Sequence, residues 1–154
     1  MAEPRYAFED FVAGDVADYP EVVVDREEML AFAQEYDPQP MHVSEEAARG
    51  SMLGELIASG WYTAALLMRL NCDHLLLDAA SLGSPGVDSL EWRAPVRAGD
   101  RLRVRREVKA VRRSTSRPDM GVVWFVFEVT NQDDVLVLRQ SNPVMFGRRT
   151  SGAA

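Results

Sequence analysis

The chain changes periodicity once, near its middle. From Met29 to Leu77 apolar residues recur at helical spacing, and from Val87 onward they alternate with polar ones, as in half-buried strands. Residues 6–24 read as irregular structure with a turn at Gly14-Asp15, leading into a short β-branched strand at Val22-Val23-Val24. Asp25 is a good helix cap, and Glu28 three residues on suits a capping box. Met29, Leu30, Phe32 and Ala33 then give one apolar helix face that runs to about Tyr36. Ser44 caps a short helix from Glu45 to Arg49, closed by Gly50. From about Ser59 to Leu77 a third helix is apolar nearly all round, the composition of a helix enclosed by protein.

The second half reads as hairpin-linked strands. Val87 to Trp92 is followed by a turn over Arg93–Asp100. Leu102, Val104 and Val108 alternate with Arg101, Arg103 and Arg105. Turn residues between Ser114 and Gly121 and at Asn131–Asp134 bracket the most apolar strand, Val122 to Thr130. Val135 to Gln140 and Val144 to Phe146 close the sheet. Helices first and strands afterwards predict an α+β fold, an antiparallel sheet with a buried helix on one face. With no linker or repeat, 1–154 reads as one domain with a core at about 8–147 and an unstructured Ser151–Ala154 tail.

Composition narrows the function classes. The single cysteine, Cys72, excludes an internal disulfide and disfavours a cysteine-type zinc site. It reads as a semi-buried helix residue. No apolar run is long enough for a bilayer, and the start lacks a basic-then-apolar leader, so a cytoplasmic protein without membrane contact is expected. The net charge of −7 disfavours nucleic acid, but ten basic and two acidic residues fall between Arg93 and Arg117. Such a strip is a solvated face by default and a phosphate-binding surface at best, with Arg93 and Arg97 as candidates.

Between the first two helices stands Asp37-Pro38-Gln39-Pro40-Met41-His42, with one of the chain's two histidines. The prolines stop the helix at Tyr36 and predict an extended or turned loop from Asp37 to His42. That stiff segment presents a carboxylate and an imidazole, the pair needed to move a water's protons. Its simplest reading is a helix stop, with Asp37 as a turn residue and His42 half-buried. Ser59 suits an N-cap better than a catalytic hydroxyl, and His74 a helix end.

The segment Asp37-x-x-Pro40-x-His42 resembles the Asp-x-Asn-Pro-x-His motif of MaoC-like dehydratases, the (R)-specific enoyl-CoA hydratases. Ile57-Ala58-Ser59-Gly60 is similar to that family's glycine-led start of the central helix, and Pro95-Val96-x-x-Gly99-Asp100 to its turn before the long strands. The resemblance spans roughly residues 8–147. It implies a hotdog fold, with a sheet wrapped around the central helix, and a ligand tunnel at a homodimer interface. It implies (R)-specific hydration of trans-2-enoyl-coenzyme A or acyl-carrier-protein esters, or the reverse dehydration. Asp37 and His42 would handle water and proton, and the Gly60 N–H the thioester oxygen, with no metal or redox cofactor; coenzyme A enters only within the substrate. Gln39 replaces the family's asparagine, which bears on substrate choice more than on reaction class. Two other readings keep the fold: a hotdog thioesterase, for which Glu55 and Asp73 are the nearest carboxylates, and a non-catalytic acyl-thioester-binding subunit.

Overall fold

The computed structural model describes residues 2–149; the Ser151–Ala154 tail lies outside them. Three long antiparallel strands form its backbone: β5 (Arg101–Arg113), β6 (Met120–Thr130) and β7 (Leu136–Gly147). Two short strands, β1 (Val16–Asp18) and β2 (Val22–Val23), pair with the free edge of β5. On the opposite edge, β3 (Ser81–Gly83) and β4 (Ser89–Trp92) pair with β7. The result is a seven-stranded sheet in which the short strands continue both edges of the long three.

Among the described residues four α-helices accompany the sheet: α1 (Arg26–Tyr36), α2 (Pro40–Val43), α3 (Glu45–Ala48) and α4 (Gly60–His74). α4 lies against the sheet. Its buried Tyr62, Leu67 and Leu70 share one hydrophobic cluster with Val104, Val108, Phe125, Phe127 and Leu138 from the long strands. The seven-stranded sheet packed on this helix is the hotdog arrangement that the family resemblance implies.

Several local expectations change. The Asp37–His42 segment is not loop throughout, because Pro40 opens a single helical turn that carries His42. Proline at the first helical position loses no hydrogen bond, since that N–H has no partner inside a helix, and its fixed φ suits the turn. α4 ends at His74, and Leu76–Asp78 is a separate 3-10 turn. Only half of the capping box forms. Asp25 accepts from the Glu28 N–H at 2.9 Å, while the Glu28 carboxylate faces the Tyr62 hydroxyl. His74 ends α4, exposed, its ring tilted at 37° to that of Tyr19 with centroids 5.2 Å apart.

β7 runs unbroken through Pro143, where the sequence suggests a gap. The Pro143 carbonyl accepts from Ser84 Oγ at 2.6 Å, on the side away from β6. In a strand, N and O of one residue point the same way, so the missing N–H also faces outward. It falls between the stretches paired with β4 and β3, and no ladder bond is lost.

Candidate active site

Two backbone bonds thread residues 57–58 between α2 and the turn before β5. The Ile57 N–H donates to the Met41 carbonyl at 3.0 Å, and the Ala58 N–H donates to Val96 at 2.8 Å. Gly99, at φ +84°, lets that turn close, and the buried Asp100 carboxylate ties it by accepting from the Arg97 N–H at 2.9 Å. α4 therefore starts at a point pinned from both sides.

His42 uses the same segment. Its Nδ1 lies 2.9 Å from the Ile57 carbonyl oxygen. A carbonyl can only accept, so Nδ1 carries the hydrogen and Nε2 is the nitrogen free to exchange a proton. That Nε2 stands 3.5 Å from Asp37 Oδ2, with His42 and Asp37 side chains only 9% and 14% exposed. The gap is longer than a charge-assisted hydrogen bond, the spacing of two groups able to grip a third between them.

Asp37 is oriented by two donors. Ser59 Oγ–H reaches Oδ2 at 2.6 Å, and Gln39 Nε2–H reaches Oδ1 at 2.7 Å. Hydrogen bonds from Ser59, then Gln39, hold the carboxyl below its ordinary range; burial opposes them and the charge of His42 adds to the pull. Two contacts on a carboxylate leave other lone-pair positions open. Gln39, with its longer amide, thus reaches the Asp37 carboxylate. Its N–H also donates to the Asp37 carbonyl at 2.8 Å, so backbone and side chain clasp the same residue across Pro38.

Ser59 has a second duty: its Oγ accepts from the Trp61 N–H at 3.2 Å and caps α4. The N-cap reading is correct, and the hydroxyl also joins helix start to carboxylate. Gly60 is the first residue of α4, where the N–H has no intrahelical acceptor and the helix dipole is positive. A Cβ on Gly60 would lie 2.5–2.7 Å from Trp92 ring atoms. The space that glycine frees is therefore occupied by the Trp92 indole, not left to a ligand.

Asp37, His42 and Gly60 line one cavity of about 490 Å³. Its walls include Trp61 and Trp92, packed edge to face at 4.9 Å and 57% and 47% exposed, with Met52 and Leu53 from the loop before α4. Sequence reasoning misses these walls. A single sequence offers no sign that a tryptophan at a strand end faces a helix start. Arg93 borders the cavity, whereas Arg97 does not. Glu55 turns the other way and pairs with Arg97, and Asp73 pairs with Arg69 near the far end of α4. No carboxylate of α4 or its lead-in reaches the dyad cavity. Cys72 is half-buried on α4 and does not line it either.

The MaoC-like domain family matches residues 10–124, spanning the dyad, the central helix, β5 and the start of β6. The chain belongs to the MaoC-like dehydratase family. A crystal structure of the MaoC-like dehydratase from Rhodospirillum rubrum is 41% identical and superposes with a TM-score of 0.85, covering 94% of this chain and 98% of that one. YdeM of Bacillus subtilis is 26% identical over 140 residues, 91% of this chain and 98% of its own length. The (R)-hydratase from A. caviae involved in PHA biosynthesis is 23% identical with a TM-score of 0.71, over 88% of this chain and 97% of its own, a likeness of fold. Among the described residues, no helix is long and apolar enough to cross a membrane.

Proposed function

We propose that this MaoC-like chain hydrates trans-2-enoyl-coenzyme A esters to (R)-3-hydroxyacyl esters and catalyses the reverse dehydration. The observation that carries the reading is the convergence, in one cavity, of Asp37 Oδ2, the proton-exchanging Nε2 of His42 and the first residue of α4. A water held between Oδ2 and Nε2 loses a proton to the pair as its oxygen bonds to C3. The C2–C3 π electrons move toward the thioester oxygen, and C2 then takes a proton from the same pair, so one proton leaves and one is delivered. The Gly60 N–H, backed by the helix dipole, donates to the oxygen as it gains charge. The dyad titrates as a unit, so the first proton acceptor is assigned to the pair.

The thioesterase reading lacks its carboxylate, because Glu55 and Asp73 are both turned to arginines away from the cavity. The exposed Trp61 and Met52 beside the cavity, with the exposed Met68 further along α4, suit a covered face, and the chain is proposed to work as a homodimer or larger homo-oligomer. Light scattering that gives a monomer at assay concentration refutes that assembly. Crotonyl-coenzyme A tests the reaction: the conjugated enoyl absorbance falls and no thiol is released. Thiol release instead identifies a thioesterase, and silence across chain lengths a non-catalytic binder.

A further inference from the structure

A second, smaller cavity of about 130 Å³ lies under the C-terminal half of α4, closed below by Phe125 and Phe127. Asn71 projects from α4 to its edge and is only 5% exposed. Its Oδ1 accepts from the Tyr19 hydroxyl at 2.9 Å, and its Nδ2–H donors meet no acceptor among the described residues. No fully enclosed side-chain nitrogen or oxygen among those residues lacks a partner, so Nδ2 is open to a guest. The neighbouring Asn142 differs, since its Oδ1 accepts from Gln140 and its Nδ2–H is directed at the Pro143 carbonyl. Behind the aromatic floor, the half-buried Arg106 guanidinium stands 5.8 Å from the Phe125 ring and 5.9 Å from the Tyr19 ring. It makes no ion pair among the described residues, so its charge favours a negatively polarised occupant.

The two cavities share no lining residue, and the exposed face of α4 runs between them. Trp61, Ala65 and Met68 follow at helical spacing on an exposed face, Trp61 bordering the dyad cavity and Met68 the second one. Gly60 and Asn71 are about 16 Å apart along the helix axis, at roughly 1.5 Å per residue. The volume exceeds the roughly 30 Å³ of one water, and the lining is mixed, with Leu75, Phe125 and Phe127 on the apolar side and Asn71, Ser81, Ser84, Gln140 and Asn142 on the polar side. A tail of methylenes ending in oxygen satisfies both halves of the lining; a plain methyl end leaves the Asn71 donors unpaired.

We propose that this cavity receives an oxygen-bearing end of the acyl chain, a carboxylate above all, held by the Asn71 amide. The inference rests on the acyl-thioester reading of the dyad cavity and adds the chemical class of the acyl group. Three saturated acyl-coenzyme A esters of matched length, long enough to span the roughly 16 Å from Gly60 to Asn71 and ending in methyl, hydroxyl or carboxylate, test it by calorimetry without turnover. A failed crotonyl-coenzyme A assay therefore leaves the result readable. The carboxylate-tailed ester should bind about tenfold or more tighter than the methyl-tailed one, with the hydroxyl between. Asn71→Asp keeps an oxygen for Tyr19 but replaces the donors with negative charge, and should cancel or reverse that ratio. Asn71→Leu, which removes the donors without adding charge, should bring the ratio to about one and serves if the aspartate variant does not fold. Equal or weaker binding of the carboxylate-tailed ester to the unmodified protein overturns the proposal. So does a ratio that survives in a variant with unchanged Tm.

Discussion

The arginine-rich strip of β5 and the Asp37–His42 segment are both rows of charged side chains, and the chain treats them in opposite ways. Along the strip, six of the ten basic residues between Arg93 and Arg117 are ion-paired: Arg93 with Glu91, Arg97 with Glu55, Arg101 with Glu21, Arg103 with Asp134, Lys109 with Glu107 and Arg117 with Asp119. These pairs are solvated and individually weak. At the dyad, the internal bonds orient rather than neutralise. Ser59, Gln39 and the Ile57 carbonyl fix the carboxylate and the ring, and leave Oδ2 and Nε2 facing each other. A row of charges acquires chemistry when its partners hold it in place without using up the reacting atoms.

The sharpest test removes a reacting atom and keeps the frame. Asp37→Asn and His42→Ala should each lower kcat for crotonyl-coenzyme A about a hundredfold or more, with far-UV circular dichroism unchanged. Near-normal turnover in either variant ends the distinction between dyad and strip. Gly60→Ala comes next. Its Cβ would fall 2.5 Å from the Trp92 ring, so the indole must swing away or the helix start must shift. Overpacking of this kind costs about 1–3 kcal/mol. A displaced N–H should also lower kcat about tenfold or more. Urea denaturation and steady-state kinetics separate the two effects. Loss of stability with full activity would remove Gly60 from the chemistry and leave it a packing residue.

Much of this was legible before any coordinates, for identifiable reasons. The apolar-all-round composition of α4 predicts a helix enclosed by protein; one face does pack on the sheet, while Trp61, Ala65 and Met68 stay exposed. The paired prolines announce a rigid break, since each acts on its own backbone and its predecessor's. Asp37, His42 and Gly60 meet in one cavity because residues 57–58 are hydrogen-bonded to Met41 and Val96. Those bonds join backbone groups far apart in the chain and leave no trace in side-chain pattern. The helical turn at His42 was hidden for a related reason: Pro40 breaks a helix at most positions but starts one at its first residue. The edge strands β1 and β3 are three residues each, too short for alternation to register, and exist because β5 and β7 offer free edges.

Ser59→Ala probes what orientation contributes. It removes the 2.6 Å bond to Oδ2 and the cap on the Trp61 N–H together. Stability should fall by about 1 kcal/mol from the cap, and kcat/KM at neutral pH roughly tenfold from the freed carboxylate. The pH profile carries the more specific signal. In the folded protein the Asp37 pKa is lowered, chiefly by Ser59. Its stabilising contribution is complete above the unfolded value of about 3.9 and is lost as pH falls through the lower folded value. Without Ser59 the folded pKa rises toward the unfolded value, so the acid-side loss of stability due to Asp37 should become smaller, while the acid limb of kcat/KM moves to higher pH. An acid limb that does not move would show that Ser59 caps the helix and nothing more.

The smallest effect is expected on the strip, and it bounds the comparison from the other side. Arg103 and Asp134 are 49% and 84% exposed, and the pair bridges β5 to the β6–β7 turn. Arg103→Ala should change stability by less than about 1 kcal/mol and KM for a coenzyme A ester by less than about twofold, across a range of salt concentrations. The reason is geometric as well as electrostatic. Arg103 borders a different hollow from the dyad, with Asp18, Glu128 and Asp134 around it, so a phosphate there would meet carboxylates as well as guanidinium. A KM that rises severalfold at low salt, and recovers toward the wild-type ratio at high salt, would mean that the ion pair opens to grip coenzyme A phosphates. The strip would then belong to the site.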